Sequence, residues 1–197
     1  MARAQAKITA REYLELERRA DVRHEFYDGE IFAMAGASRA HSLIVANLVA
    51  ALLPQAKTRG CELYPNDMRV RVPSTELYTY PDLVLVCGEP EFEDSEHDTL
   101  LNPVLIVEVL SPSTESYDRG EKFAHYRTIP SLVDYLLIDQ QRLSVEHYVR
   151  HENGHWLFTA ADQRGGAVTL VALEHRLELA EIYDGIADLA PSTARRP

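Results

Sequence analysis

Pro81-Asp82-Leu83-Val84-Leu85-Val86 and Pro103-Val104-Leu105-Ile106-Val107-Glu108-Val109-Leu110 are the stretches whose reading decides the fold. Both runs are short, rich in β-branched residues and closed off by proline or glycine, so they read as strands buried on both faces rather than as helices. Each carries one acid where packing alone would not choose it, and a carboxylate buried without a partner is costly. If the strands are antiparallel neighbours, the start of the first meets the end of the second, and Asp82 faces Glu108 at one edge of the core. Two carboxylates converging on an apolar wall are a candidate metal site. The plainer alternatives are a strand-entry role for Asp82 and a buried ion pair between Glu108 and an arginine such as Arg69 or Arg127.

Downstream, Ser111-Pro112-Ser113-Thr114 reads as a turn, followed by a helix from about Tyr117 to Thr128 that Pro130 stops. Asp118 and Glu121 have the spacing of a capping box. Lys122 and Tyr126, four apart, share a helix face that can turn towards the carboxylates. Val133 to Asp139 is the next strand, giving the order strand, strand, helix, strand.

The chain towards the N-terminus supplies further elements. Thr9-Ala10-Arg11-Glu12 is a capping box opening a helix to about Arg19. Asp28-Gly29 turns Arg23–Tyr27 into Glu30–Met34 as a hairpin. Glu25 lies in its first strand, facing solvent or the site edge. A strongly apolar helix spans about Ser38 to Gln55, with His41 in its first turn, either as a structural histidine or facing the cleft. Cys61–Tyr64 and Met68–Val72 read as strands. Arg69 and Arg71 share one face of the second, as solvated charges or as phosphate contacts. Residues 88–102 are an acidic loop, expected to be mobile and to repel DNA.

Strands at 67–73, 80–86, 103–110 and 133–138 should together form a central mixed sheet, with the helices packed on it, so the fold class is α/β. Leu143–Val149, Trp156–Thr159 and Val168–Leu173 suggest a C-terminal meander that extends the sheet or forms a dimer surface. The 197 residues suit one domain over 1–190, with a disordered tail at 191–197. The longest apolar run, Leu43–Leu53, is too short to span a bilayer, and the start has no apolar stretch of a secretory signal, which indicates no membrane association. Cys61 and Cys87 have no ligand spacing and read as reduced core thiols of a cytoplasmic protein. The net charge of −11 opposes tight DNA binding, because that affinity comes largely from Lys and Arg on phosphates.

Pro81-Asp82, Glu108-Val109-Leu110-Ser111-Pro112-Ser113-Thr114, Asp118-Arg119-Gly120-Glu121-Lys122 and Tyr135-Leu136-Leu137-Ile138-Asp139, in this order, resemble the Uma2 family of restriction-endonuclease-like proteins, placed in the PD-(D/E)XK nuclease superfamily. The resemblance covers roughly residues 8–185 and implies a restriction-endonuclease-like core with an added hairpin and meander. It implies a metal-dependent DNA endonuclease in which Asp82, Glu108 and the Val109 carbonyl hold Mg²⁺, or Mn²⁺ in its place. One position departs from the superfamily pattern: Leu110 stands where a lysine belongs. Lys122, the only lysine after Lys57, is the natural substitute.

The family also carries an acid near Glu25 and a histidine at the start of the helix bearing His41, which makes both auxiliary site residues. The resemblance and the apolar meander together point to a homodimer. On this reading one site carboxyl has a raised pKa without metal, and replacing Lys122 by alanine slows hydrolysis while leaving folding nearly intact. The competing reading is a catalytically silent nuclease-fold protein that acts as a binding module, and a third is a hydrolase of small phosphoesters.

Overall fold

The computed structural model of the chain describes residues 7–34, 36–163, 165–186 and 189, so the expected tail at 191–197 lies outside the described residues. Thr9 and Glu12 close a capping box before α1 (Ala10–Glu17). Asp28 and Gly29, both at positive φ, turn β1 (His24–Tyr27) into β2 (Glu30–Ala33), as the primed hairpin turns require. α2 (Arg39–Thr58) begins at Ser38, whose Oγ accepts a hydrogen bond from the His41 amide.

β3 (Cys61–Pro65), β4 (Arg69–Val72), β5 (Leu77–Thr79), β6 (Leu83–Cys87), β7 (Thr99–Leu100) and β8 (Leu105–Leu110) follow. Next come three helical pieces in succession: α3 (Glu115–Tyr117), a π-helical turn (Asp118–Lys122) and α4 (Phe123–Tyr126). The chain continues through β9 (Asp134–Asp139), β10 (Val145–Arg150), β11 (Trp156–Ala161), β12 (Ala167–Leu170), β13 (His175–Glu178) and α5 (Leu179–Ile182).

The central sheet has the order β11-β10-β9-β8-β6-β3. All its neighbours are antiparallel except β8 and β9, which are parallel and joined by the helical crossover. Alternation sorts its side chains as expected for strands buried on both faces. Leu83, Leu85, Leu105 and Val107 pack against Ile44, Leu48 and Leu52 of α2. Val84, Ile106, Tyr135 and Leu137 face the other way, onto Tyr126, Val70, Val72 and Leu77. Two core layers therefore sandwich the strands that carry the acids.

Several sequence-based expectations are corrected. The strand at 67–73 is not in the central sheet. It is β4 of a second sheet, β2-β1-β5-β4-β7, because its apolar face covers the central sheet from outside. The expected meander divides: β10 and β11 extend the central sheet, while β12 pairs with β13 alone.

The crossover helix starts at Glu115, so Asp118 lies beyond its first turn, buried and not a cap. The acidic loop is held in place: Arg18 pairs with Asp94 and Asp98, Arg69 with Asp98, and Arg71 with Glu93. Arg69 is buried and Arg71 is tied to Glu76 and Glu93, so neither is a solvated face or free for a phosphate. Cys61 and Cys87 are not free thiols: they are directly opposed in the β3–β6 ladder and form a disulfide, which withdraws the argument from thiols to a reducing compartment. Among the described residues no helix is long and apolar enough to cross a membrane.

Candidate active site

The β6–β8 register pairs Leu83 with Val107 and Val84 with Ile106, which brings Asp82, just before β6, across from Glu108. Asp82 is held from two sides. Its Oδ2 accepts from the Val109 amide at 2.7 Å, and its Oδ1 lies 3.0 Å from His41 Nε2 at the start of α2. The N–H and C=O of one strand residue project to the same edge, so the Val109 carbonyl is directed to the side where Asp82 stands.

Glu108 is 4% exposed. Its Oε1 accepts from the Tyr126 hydroxyl at 2.8 Å and from Lys122 Nζ at 3.0 Å. Lys122 is equally buried, and its ammonium also lies 2.9 Å from Glu25 Oε1 and 3.6 Å from Asp118 Oδ1. Glu25 accepts a further hydrogen bond from Thr79 Oγ1 in the adjoining strand. The π-helical turn carries both Asp118 and Lys122 inward, and such turns within helices recur at functional sites. Two networks thus meet at the Glu108–Val109 end of β8: His41 and the Val109 amide on Asp82, and Lys122 with Glu108, Glu25 and Asp118.

Burial with few counter-charges sets the electrostatics. The Glu108 carboxyl is held well above the usual range, first by burial and then by Asp118, Asp82 and Glu25, against the pull of Lys122. Asp118 is raised, also chiefly by burial. Burial alone would lower Lys122, but Glu108, Glu25 and Asp118 outweigh it and hold its ammonium charged far up the pH scale. Burial, followed by Glu108, likewise pushes the Tyr126 phenol up. One lysine therefore faces a surplus of carboxylates, and the surplus favours either a bound cation or a retained proton.

The residues fit a hard divalent ion. Asp82, Glu108 and the Val109 carbonyl are oxygen donors, and Lys122 alone faces Glu108, Glu25 and Asp118 among the described residues. Among the described residues no group of three or more His, Cys, Asp or Glu could hold an ion by itself. Two carboxylates completed by water and substrate oxygens is the Mg²⁺ mode of binding, whereas zinc favours nitrogen and sulfur cages.

Asp82, Glu108 and Lys122, the candidates read from the sequence, lie at one end of the sheet, and Asp118, which is read there only as a cap, lies beside Lys122. The interval of four from Asp118 to Lys122 carried the signal, but Asp118 with Glu121 also has the spacing of a capping box. Thr79 gave none, because its contact with Glu25 joins strands far apart in the chain.

The family model described as Uma2, "Putative restriction endonuclease", matches residues 10–181. The uncharacterized protein sll1609 of Synechocystis sp. is 43% identical over 152 residues, spanning 77% of this chain and 86% of that protein. The uncharacterized protein slr1290 of the same organism is 35% identical over 184 residues, spanning 92% and 94%. Among solved structures, the crystal structure of "a putative nuclease belonging to DUF820" from Anabaena variabilis superimposes with a TM-score of 0.74 at 18% identity, covering 89% of this chain and 97% of that one. This likeness establishes the fold alone.

Proposed function

The chain belongs to the Uma2 family, and from that premise we propose that it is a metal-dependent endonuclease hydrolysing DNA phosphodiester bonds. Asp82, Glu108 and the Val109 carbonyl would hold Mg²⁺, with Mn²⁺ as a substitute. When bound, the ion supplies Lewis acidity to the phosphate and lowers the pKa of a water. Lys122 keeps its proton at neutral pH, holds Glu108 in place, and its charge offsets the negative charge that builds on the phosphate. Glu25 aims the ammonium, the His41 imidazole and the Val109 amide orient Asp82, and the Tyr126 hydroxyl orients Glu108.

The observation that carries this reading is the 3.0 Å contact between Lys122 and Glu108. It brings an ammonium to the carboxylate end of the sheet although position 110 is leucine. Nicking of supercoiled plasmid in Mg²⁺ or Mn²⁺, lost in Glu108→Gln, is the expected result. The absence of nicking in both metals defeats it.

The competing reading is a silent nuclease-fold binding module, favoured by the net charge of −11. Such a scaffold need not be stabilised by Mg²⁺. We also propose a homodimer, supported by the exposed Leu157 and Phe158 on β11, the outer strand of the central sheet. Light scattering that gives the mass of one chain refutes it.

A further inference from the structure

The surroundings of Lys122 bear on the form of DNA that the cleft receives. In the β1–β2 hairpin Phe32 is paired directly with Glu25. Directly paired side chains project from the same face, with Cβ atoms about 4.5–5.5 Å apart. Glu25 is itself 2.9 Å from Lys122 Nζ, so Phe32 shares the hairpin face that carries this ion pair, and it is 48% exposed. β2 is the outer strand of its sheet, and among the described residues no strand pairs with it on its far side. A second ring, the half-buried Tyr117, has its centroid 5.9 Å from Lys122 Nζ. One ring thus lies near the ammonium, and a second, exposed aromatic side chain stands on the strand opposite its partner Glu25.

The charge distribution disfavours a duplex. Arg18, Arg69 and Arg71 are occupied by the acidic loop, and Arg119 by Glu115 and Glu146. Near the site, Arg39 is exposed in the first turn of α2, two residues before His41. Duplex binding draws its affinity from many phosphate contacts, whereas an unpaired strand also offers base faces that stack on aromatic rings without added charge.

We propose that the cleft takes an unpaired DNA strand, whose bases stack on Phe32 and Tyr117 at the site that Lys122 charges. The inference rests on the reading of the site as one for DNA phosphodiesters, and it adds that the strand enters single. In a duplex the base faces are already stacked on one another and unavailable to the rings.

The test is fluorescence anisotropy in Ca²⁺, using a labelled oligothymidylate and its duplex with oligodeoxyadenylate. The single strand should bind about tenfold or more tighter than the duplex. Phe32→Ala should raise the single-strand Kd about 5- to 150-fold, equivalent to the about 1–3 kcal/mol of one base–ring stack, and Phe32→Trp should restore it. Val171→Ala, which trims a comparably exposed apolar side chain between β12 and β13, should leave the single-strand Kd unchanged.

Equal or tighter duplex binding overturns the proposal, as does a Phe32→Ala variant that binds like the wild type. So does a Phe32→Ala variant that only converts a dimer to a monomer, since the patch would then serve a second copy of the chain. The readout is binding, so a protein that never nicks plasmid defeats the hydrolytic reading alone and leaves this test decisive.

Discussion

Lys122→Met keeps the aliphatic stem and removes the ammonium, and the structure sets the consequence. The side chain is 7% exposed and has Glu25, Glu108 and Asp118 within 3.6 Å. Removing one member of a buried ion pair costs about 3–5 kcal/mol, because the remaining charge has no solvent or partner. In a domain of this size each kcal/mol moves Tm by about 2–4 °C, so the variant should melt roughly 6–20 °C below the wild type in EDTA at neutral pH. The sequence alone suggested a nearly unperturbed fold for a lysine variant, and the burial of Lys122 reverses that expectation.

The pH dependence follows from the carboxyls of Glu108 and Asp118, whose folded-state pKa values are raised. Groups raised in this way contribute stability that is fully present below their unfolded values, about pH 4, and is lost as pH rises through the folded values. Without Lys122 the folded values rise further. The deficit should therefore be smallest near about pH 4 and widest above neutrality. Thermal melts followed by circular dichroism across this range measure it. If the variant in EDTA stays within about 2 °C of the wild type at alkaline pH, the cluster is not coupled as described.

Two further outcomes are expected. Wild-type protein with Mg²⁺ at about 100 times its Kd should gain about 2.7 kcal/mol, whereas Asp82→Asn should gain nothing by differential scanning fluorimetry, and an equal gain in both would place the ion elsewhere. Reducing the Cys61–Cys87 bridge, whose cysteines are 26 residues apart, should lower stability by about 3–4 kcal/mol, and a Tm indifferent to dithiothreitol would restore the reading of free thiols.

The two acid-bearing strands were legible in the sequence because a strand buried on both faces must be apolar along its whole length, and an acid inside such a run has no packing explanation. Antiparallel adjacency then makes Asp82 and Glu108 neighbours, and the interval of four from Lys122 to Tyr126 aligns both side chains with Glu108. The hairpin at Asp28-Gly29 and the cap at Thr9 were legible too, since turns and caps are satisfied within a few residues.

Long-range pairing was decided only by the tertiary structure. The alternation of Met68, Val70 and Val72 marks a buried face without saying which sheet it covers, so β4 belongs to a sheet that the sequence did not predict. Spacing cannot tell an Asp118 that caps from one that faces Lys122, because the helix start decides it. Likewise the acidic loop repels DNA when taken alone, but Arg18, Arg69 and Arg71 reach it from separate elements. Cys61 and Cys87 meet only because β3 and β6 pair in that register. Periodicity records which side of an element is apolar over one or two turns, and the partner of that side is chosen by the packing of the whole chain.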